Sequence, residues 1–124
     1  MITLEHRPSE IVAALLLLTD EDLLSADAHR LHRALQVARD QCPLLQVFAF
    51  SPRGPEMMSR GFDEALSLLK LSRVLRMENT DYERYIIDGN AKNYIRSVIL
   101  PKFTNEEQAS LAKAAAIVRE ECRG

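Results

Sequence analysis

The residues best placed by type and spacing to do chemistry are His29 and His32, three apart, with Asp27 nearby. On a helix the two imidazoles can face one side, and neutral histidines beside a carboxylate are able to hold a divalent metal. No clear third ligand accompanies them, and His6 near the N-terminus does not supply one. They read as surface or internally satisfied histidines, so neither a metal nor a cofactor is expected. Cys42 precedes Pro43 at a helix end, where the helix dipole is negative and does not activate a thiolate. Cys122 lies beside Glu120 and Glu121, so neither thiol reads as reactive. The two cysteines share no metal-type spacing and read as free thiols of a reducing cytoplasm. The four glycines form no phosphate-binding loop, and no nucleophile, base and orienting group stand in recognisable relation. The chain is not expected to be an enzyme.

The elements that position these groups belong to one domain spanning residues 1–124. Its hydrophobic fraction is 47% and its charged fraction 27%, and 124 residues can bury a core without disulfides. Net charge is −2, which does not favour non-specific attraction to nucleic acid. Residues 1–50 carry 4 basic and 7 acidic side chains, residues 51–88 carry 6 and 7, and residues 89–124 carry 6 and 4. Positive surface must therefore come from the C-terminal half. The start of the chain lacks the basic and apolar regions of a secretion signal, and the apolar run Ile11–Leu18 is far shorter than the ~20 residues of a membrane span. A cytoplasmic protein without membrane contact is expected.

Pro8 suits the first turn of a helix. Ile11–Leu18 is apolar on every face, which predicts a helix at the centre of the core. After the polar break Thr19–Asp22, Leu23 and Leu24 pack back and Ser25 is a candidate N-cap. Leu31, Ala34, Leu35 and Ala38 recur at helical spacing and predict a helix over 26–41, limited by Pro43. Leu44–Phe50 is short, apolar and aromatic, which predicts a strand or a tight buried connection.

Ser51–Pro55 is a firm break. A helix is predicted from Pro55 or Glu56 to about Leu71, with Met58, Phe62, Ala65, Leu66 and Leu69 as its core stripe and Gly61 as a point of close approach. Two β-type runs follow, 73–78 and 82–88, with a turn at 79–81. A turn centred between Thr80 and Asp81 sets Leu75 opposite Ile86, Val74 opposite Ile87, Arg73 opposite Asp88 and Arg76 opposite Tyr85. The same register opposes Glu78 and Glu83. Beyond Asp88–Asn90, Tyr94, Ile95, Val98 and Ile99 predict a further helix, stopped by Pro101. Thr104 and Glu107 have the form of a capping box for a last helix, with Leu111, Ala115, Val118 and Cys122 inward, widened by Ala112 and Ala116.

The order helix, helix, short strand, helix, hairpin, helix resembles the winged helix-turn-helix superfamily. The likeness is strongest in Phe48–Phe50 through Gly54 and Pro55 into Ala65–Leu69, and again in Tyr85–Lys92. It implies a mainly α fold with a small antiparallel β-hairpin, a winged core over 8–88 and C-terminal helices over 90–122. It implies a DNA-binding or transcription-associated protein whose third helix offers Ser59, Arg60, Asp63, Ser67 and Lys70 to bases. Arg53 would precede that helix, and Arg73, Arg76 and Arg84 would meet phosphate from the wing. Against this stand Glu56, Asp63 and Glu64 on the same helix, because carboxylates facing phosphate forgo the counterion-release contribution. The alternative is a protein–protein interaction module on the same scaffold. Winged regulators also use terminal helices to dimerise, and Ala109, Ala112, Ala114, Ala115 and Ala116 would permit a close homodimer contact.

Overall fold

The computed structural model describes residues 6–19, 23–25, 28–53, 56–79 and 83–121. The described residues are mainly helical. Helix α1 (Pro8–Leu18) begins with Pro8 in its first turn and buries Ile11 through Leu17. Its lack of a polar face has the expected consequence: α3, α5 and the segment after α4 all pack around it. Thr19 ends it, buried, with Oγ1 donating to the Leu16 carbonyl at 2.6 Å and its own carbonyl accepting from Arg119.

Strand β1 (Leu23–Ser25) leads to α2 (Ala28–Ala38), which buries Leu31, His32, Ala34, Leu35 and Ala38 and lies against α5. Two 3-10 turns follow, Arg39–Gln41 and Pro43–Val47. The strand allowed for over 44–50 is therefore absent. Pro43 fixes the start of the second turn, and Leu45 N–H and Phe48 N–H donate to Cys42 and Leu45. Coiling at three residues per turn turns Leu45 and Phe48 inward together.

Strands β2 (Ser51–Arg53) and β3 (Glu56–Met58) pair antiparallel, and α3 (Arg60–Leu71) begins only after them. The expected start at Pro55 or Glu56 is corrected by the capping residue. Ser59 is extended at φ −115°, and its Oγ accepts the Phe62 N–H at 3.3 Å. Met58 belongs to β3 and not to the stripe of α3, whereas Phe62, Ala65, Leu66 and Leu69 are buried as that stripe requires.

Strands β4 (Arg76–Asn79) and β5 (Glu83–Ile86) pair antiparallel, and β1 adds to the free side of β5, giving the order β1-β5-β4. The third strand thus comes from between α1 and α2. Arg76 pairs with Ile86 and Glu78 with Arg84, one residue away from the expected register. Asn79 stands opposite Glu83, so three residues separate the two strands where the expected register has two. Arg73 is left-handed at φ 64°, and the Arg73 and Val74 N–H groups donate to Lys70 and Leu69. Leu75 N–H also donates to Leu69, so this closing turn uses Val74 and Leu75 before the ladder begins. The shift removes the expected Glu78–Glu83 opposition, and Asp88 bridges Arg76 at 3.7 Å instead of facing Arg73. The intervening residues 80–82 lie outside the described residues.

The turn motif ordinarily places glycine where Arg73 stands, because a Cβ is strained at positive φ. Arg73→Gly is expected to raise the unfolding free energy by about 1 kcal/mol, read as a higher urea midpoint at unchanged slope.

Helix α4 (Gly89–Tyr94) is capped by Asp88, whose Oδ1 accepts the Ala91 N–H at 2.9 Å, and runs on through a π turn over Ile95–Ile99. Pro101, which has no N–H to continue the ladder, sits in the 3-10 turn that follows. Ala91, Ile95 and Ile99 are buried, whereas Tyr94 and Val98, expected inside, are half exposed. Helix α5 (Asn105–Glu121) starts at the expected capping box. Thr104 N–H donates to Glu107 Oε1 at 2.8 Å, and Glu107 N–H donates to Thr104 Oγ1 at 3.1 Å. Its inward face is Leu111, Ala114, Ala115 and Val118. Ala112 and Ala116 do not widen it but are exposed, as is Ala109. Cys122 lies outside the described residues.

Candidate interaction face

Seven residues before Arg39, α2 carries the side chain that organises the start of α3. His32 is 1% exposed. Its Nδ1 accepts the Ser59 N–H at 3.0 Å, so the proton of the neutral ring sits on Nε2, which donates to Asp63 Oδ1 at 2.8 Å. Its ring meets Phe62 edge-on at 5.1 Å and Phe50 at 6.2 Å. Both nitrogens are occupied, and the ring has no lone pair left for a metal or for a substrate proton. His32 is thus an internally satisfied histidine that locks α2 to the first turn of α3. The side chains of His29 and Asp27 lie outside the described residues. Among the described residues, no group of three or more histidine, cysteine, aspartate or glutamate side chains could hold a metal ion.

The same lock corrects part of the expected base-facing set. Ser59 is buried, with its hydroxyl engaged as the cap, and cannot face a ligand. Asp63 is half exposed but turned toward His32. Arg60 remains on the surface and bridges Glu64 at 3.3 Å one turn later. Ser67, Lys70 and Arg73 are exposed, and so is Arg76, whose guanidinium meets Asp88. The side chains of Arg53 and Arg84 lie outside the described residues. Two of the cations meant for phosphate, Arg60 and Arg76, therefore each lie beside a carboxylate.

Between these charges α3 presents something the sequence stripe left out. Leu68 is 57% exposed and Leu71 81%, three residues apart and hence neighbours on one face of the helix. The signal was available as two leucines off the Phe62, Ala65, Leu66 and Leu69 stripe. Leu68 also contributes to a cavity of about 820 Å³ bounded by α3, α4 and the beginning of α1.

His6 and Cys42 are held by packing contacts. His6 stacks on Phe103 with centroids 4.1 Å apart and meets the Glu107 carboxylate at 3.2 Å, adding a second contact to the capping box. Cys42 is a free, buried thiol. Burial pushes it above the ordinary thiol range, against smaller lowering effects from the backbone at Leu44 and Leu45. A buried thiol held in this form is a poor nucleophile at neutral pH. No helix among the described residues is long and apolar enough to cross a membrane.

No family model, curated protein or solved structure matches this chain.

Proposed function

We propose that the chain is a non-catalytic binding module on a winged-helix-type scaffold, and that the apolar edge of α3 meets a protein surface in preference to duplex DNA. Support for the scaffold comes from the strand order β1-β5-β4, with β4 and β5 as the wing and β1, which precedes α2, taking the place of the short strand expected over 44–50. One observation carries the choice of partner. Leu68 and Leu71 are exposed side by side on α3, while Arg60 and Arg76 lie against Glu64 and Asp88. An apolar edge amid paired charges suits a protein partner, whereas phosphate calls for a continuous run of unopposed cations.

DNA binding is the second reading, favoured by the three-stranded sheet whose β4 and β5 follow α3 and by exposed Ser67, Lys70, Arg73 and Arg76. Gel retardation of a mixed-sequence duplex at low salt separates the two, because electrostatic binding is strongest there. No retardation is expected. Retardation that weakens as salt is added would overturn the protein-partner reading in favour of DNA.

A homodimer through α5 is part of the proposal, since Ala109, Ala112 and Ala116 are exposed on that helix. Light scattering across the micromolar range is expected to give a dimer, and a monomer throughout removes this contact. A cytoplasmic location belongs to the same reading.

A further inference from the structure

The cavity of about 820 Å³ has walls of two kinds. Ala65, Leu68 and Leu69 of α3, Val74, and Ala91 and Ile99 after the wing supply apolar surface, and the half-exposed ring of Tyr94 stands among them. The volume lies in the range of pockets that enclose small organic ligands.

The charged groups of the wall divide by what they already touch. Glu10 is bonded to Lys102, Glu64 to Arg60, and Asp88 to both Arg76 and the Ala91 N–H. Arg7 and Arg73 also line the cavity, and neither has a side-chain partner among the described residues. The unopposed charge of the wall is therefore positive. The first turn of α1, through Pro8, Ser9 and Glu10, adds the positive end of a helix dipole to the same wall. Arg73 holds its place at φ 64°, where glycine would be relaxed, so the fold tolerates strain at a cationic residue that lines this cavity.

We propose that this cavity binds a small amphipathic carboxylate, its apolar body on the Ala65, Leu69 and Ile99 surface and its carboxylate toward Arg7 and Arg73. Guanidinium groups pair with carboxylates and phosphates alike, and the single charge of a carboxylate on an apolar body suits an apolar wall that also carries Glu10, Glu64 and Asp88. The inference does not depend on whether α3 meets protein or DNA.

The test is an amide-resolved NMR titration of the full chain with octanoate and, in parallel, with octanol. Octanoate is expected to shift the amides of Ala65, Leu69, Val74 and Ala91 saturably and to bind about tenfold more tightly than octanol. In the double variant Arg7→Gln and Arg73→Gln, octanoate affinity is expected to fall about tenfold while octanol affinity is unchanged. Both positions are exposed, and an unchanged amide spectrum away from the cavity verifies that the variant is folded. Equal affinity for the two probes, an octanoate affinity indifferent to the double variant, or no saturable shift at these amides overturns the proposal. So does a shift of the same amides with protein concentration alone, which would mean that a second copy fills the cavity.

Discussion

Replacing His32 with alanine is expected to lower the unfolding free energy by about 3 kcal/mol, read as a large drop in the urea midpoint. Two losses add. The ring is removed from a site where it contacts Phe62 and Phe50, leaving space the neighbours fill only in part. The Ser59 N–H, which has the imidazole as its acceptor in a buried position, is left without one. Two controls apportion the effect. Ser59→Ala removes the Oγ cap but keeps the backbone donor on His32, and is expected to cost about 1 kcal/mol. Asp63→Asn keeps an acceptor opposite Nε2 at a half-exposed site and is expected to cost less than His32→Ala. Equal losses for His32→Ala and Asp63→Asn would show that the carboxylate, and not the buried amide, carries the interaction.

The second large effect belongs to Phe62, for which alanine is expected to cost about 4 kcal/mol. Its ring is 2% exposed and stands edge-on to Phe48 at 5.8 Å and to His32 at 5.1 Å. Helix α2 and the end of the second 3-10 turn that follows it thereby both meet α3 through one side chain. Because Phe62 and His32 touch, the double variant is expected to lose less than the two single losses combined, as both empty adjoining space. Strict additivity in the same urea experiment would mean that the contact contributes nothing of its own.

Much of the helical framework was readable in advance because its signals are local. The Ala- and Leu-rich apolar run three residues after Pro8 favours a buried helix over a buried strand, and Thr104 with Glu107 writes a helix start within four residues. Phe62, Ala65, Leu66 and Leu69 announce one buried face by spacing alone. What was missed depends on contacts distant in sequence or on very short elements. Three residues, Leu23–Ser25, are too few to show alternation, so the third strand read as a packing pair and a cap. Leu45 and Phe48 are as consistent with a 3-10 turn as with a strand until their i→i+3 bonds are seen.

The site was less readable than the fold. Ser59 looked like a polar residue on an exposed face, and only the His32 nitrogen across 27 positions reveals that it is buried. His32 itself read as a surface or a satisfied histidine, and its partner Asp63, 31 positions away, was counted among base-facing groups. The register of β4 and β5 slipped by one because it depends on how many residues separate them, and β4 starts late because arginine gives no sign of the left-handed turn that glycine would have announced. The exposure of Leu68 and Leu71 depends on nothing covering that edge of α3, which spacing does not reveal.

The proposed scaffold stands or falls on the order of its strands. Interstrand proton contacts in solution NMR test it directly, since paired residues across an antiparallel ladder bring backbone protons close together. Expected are contacts linking Leu24 to Tyr85 on one side of β5 and Met77 to Tyr85 on the other. Contacts that join Arg76 to Tyr85 would restore the shifted register, and a β5 with no contact to Leu23–Ser25 would contradict the three-stranded sheet and the winged reading built upon it.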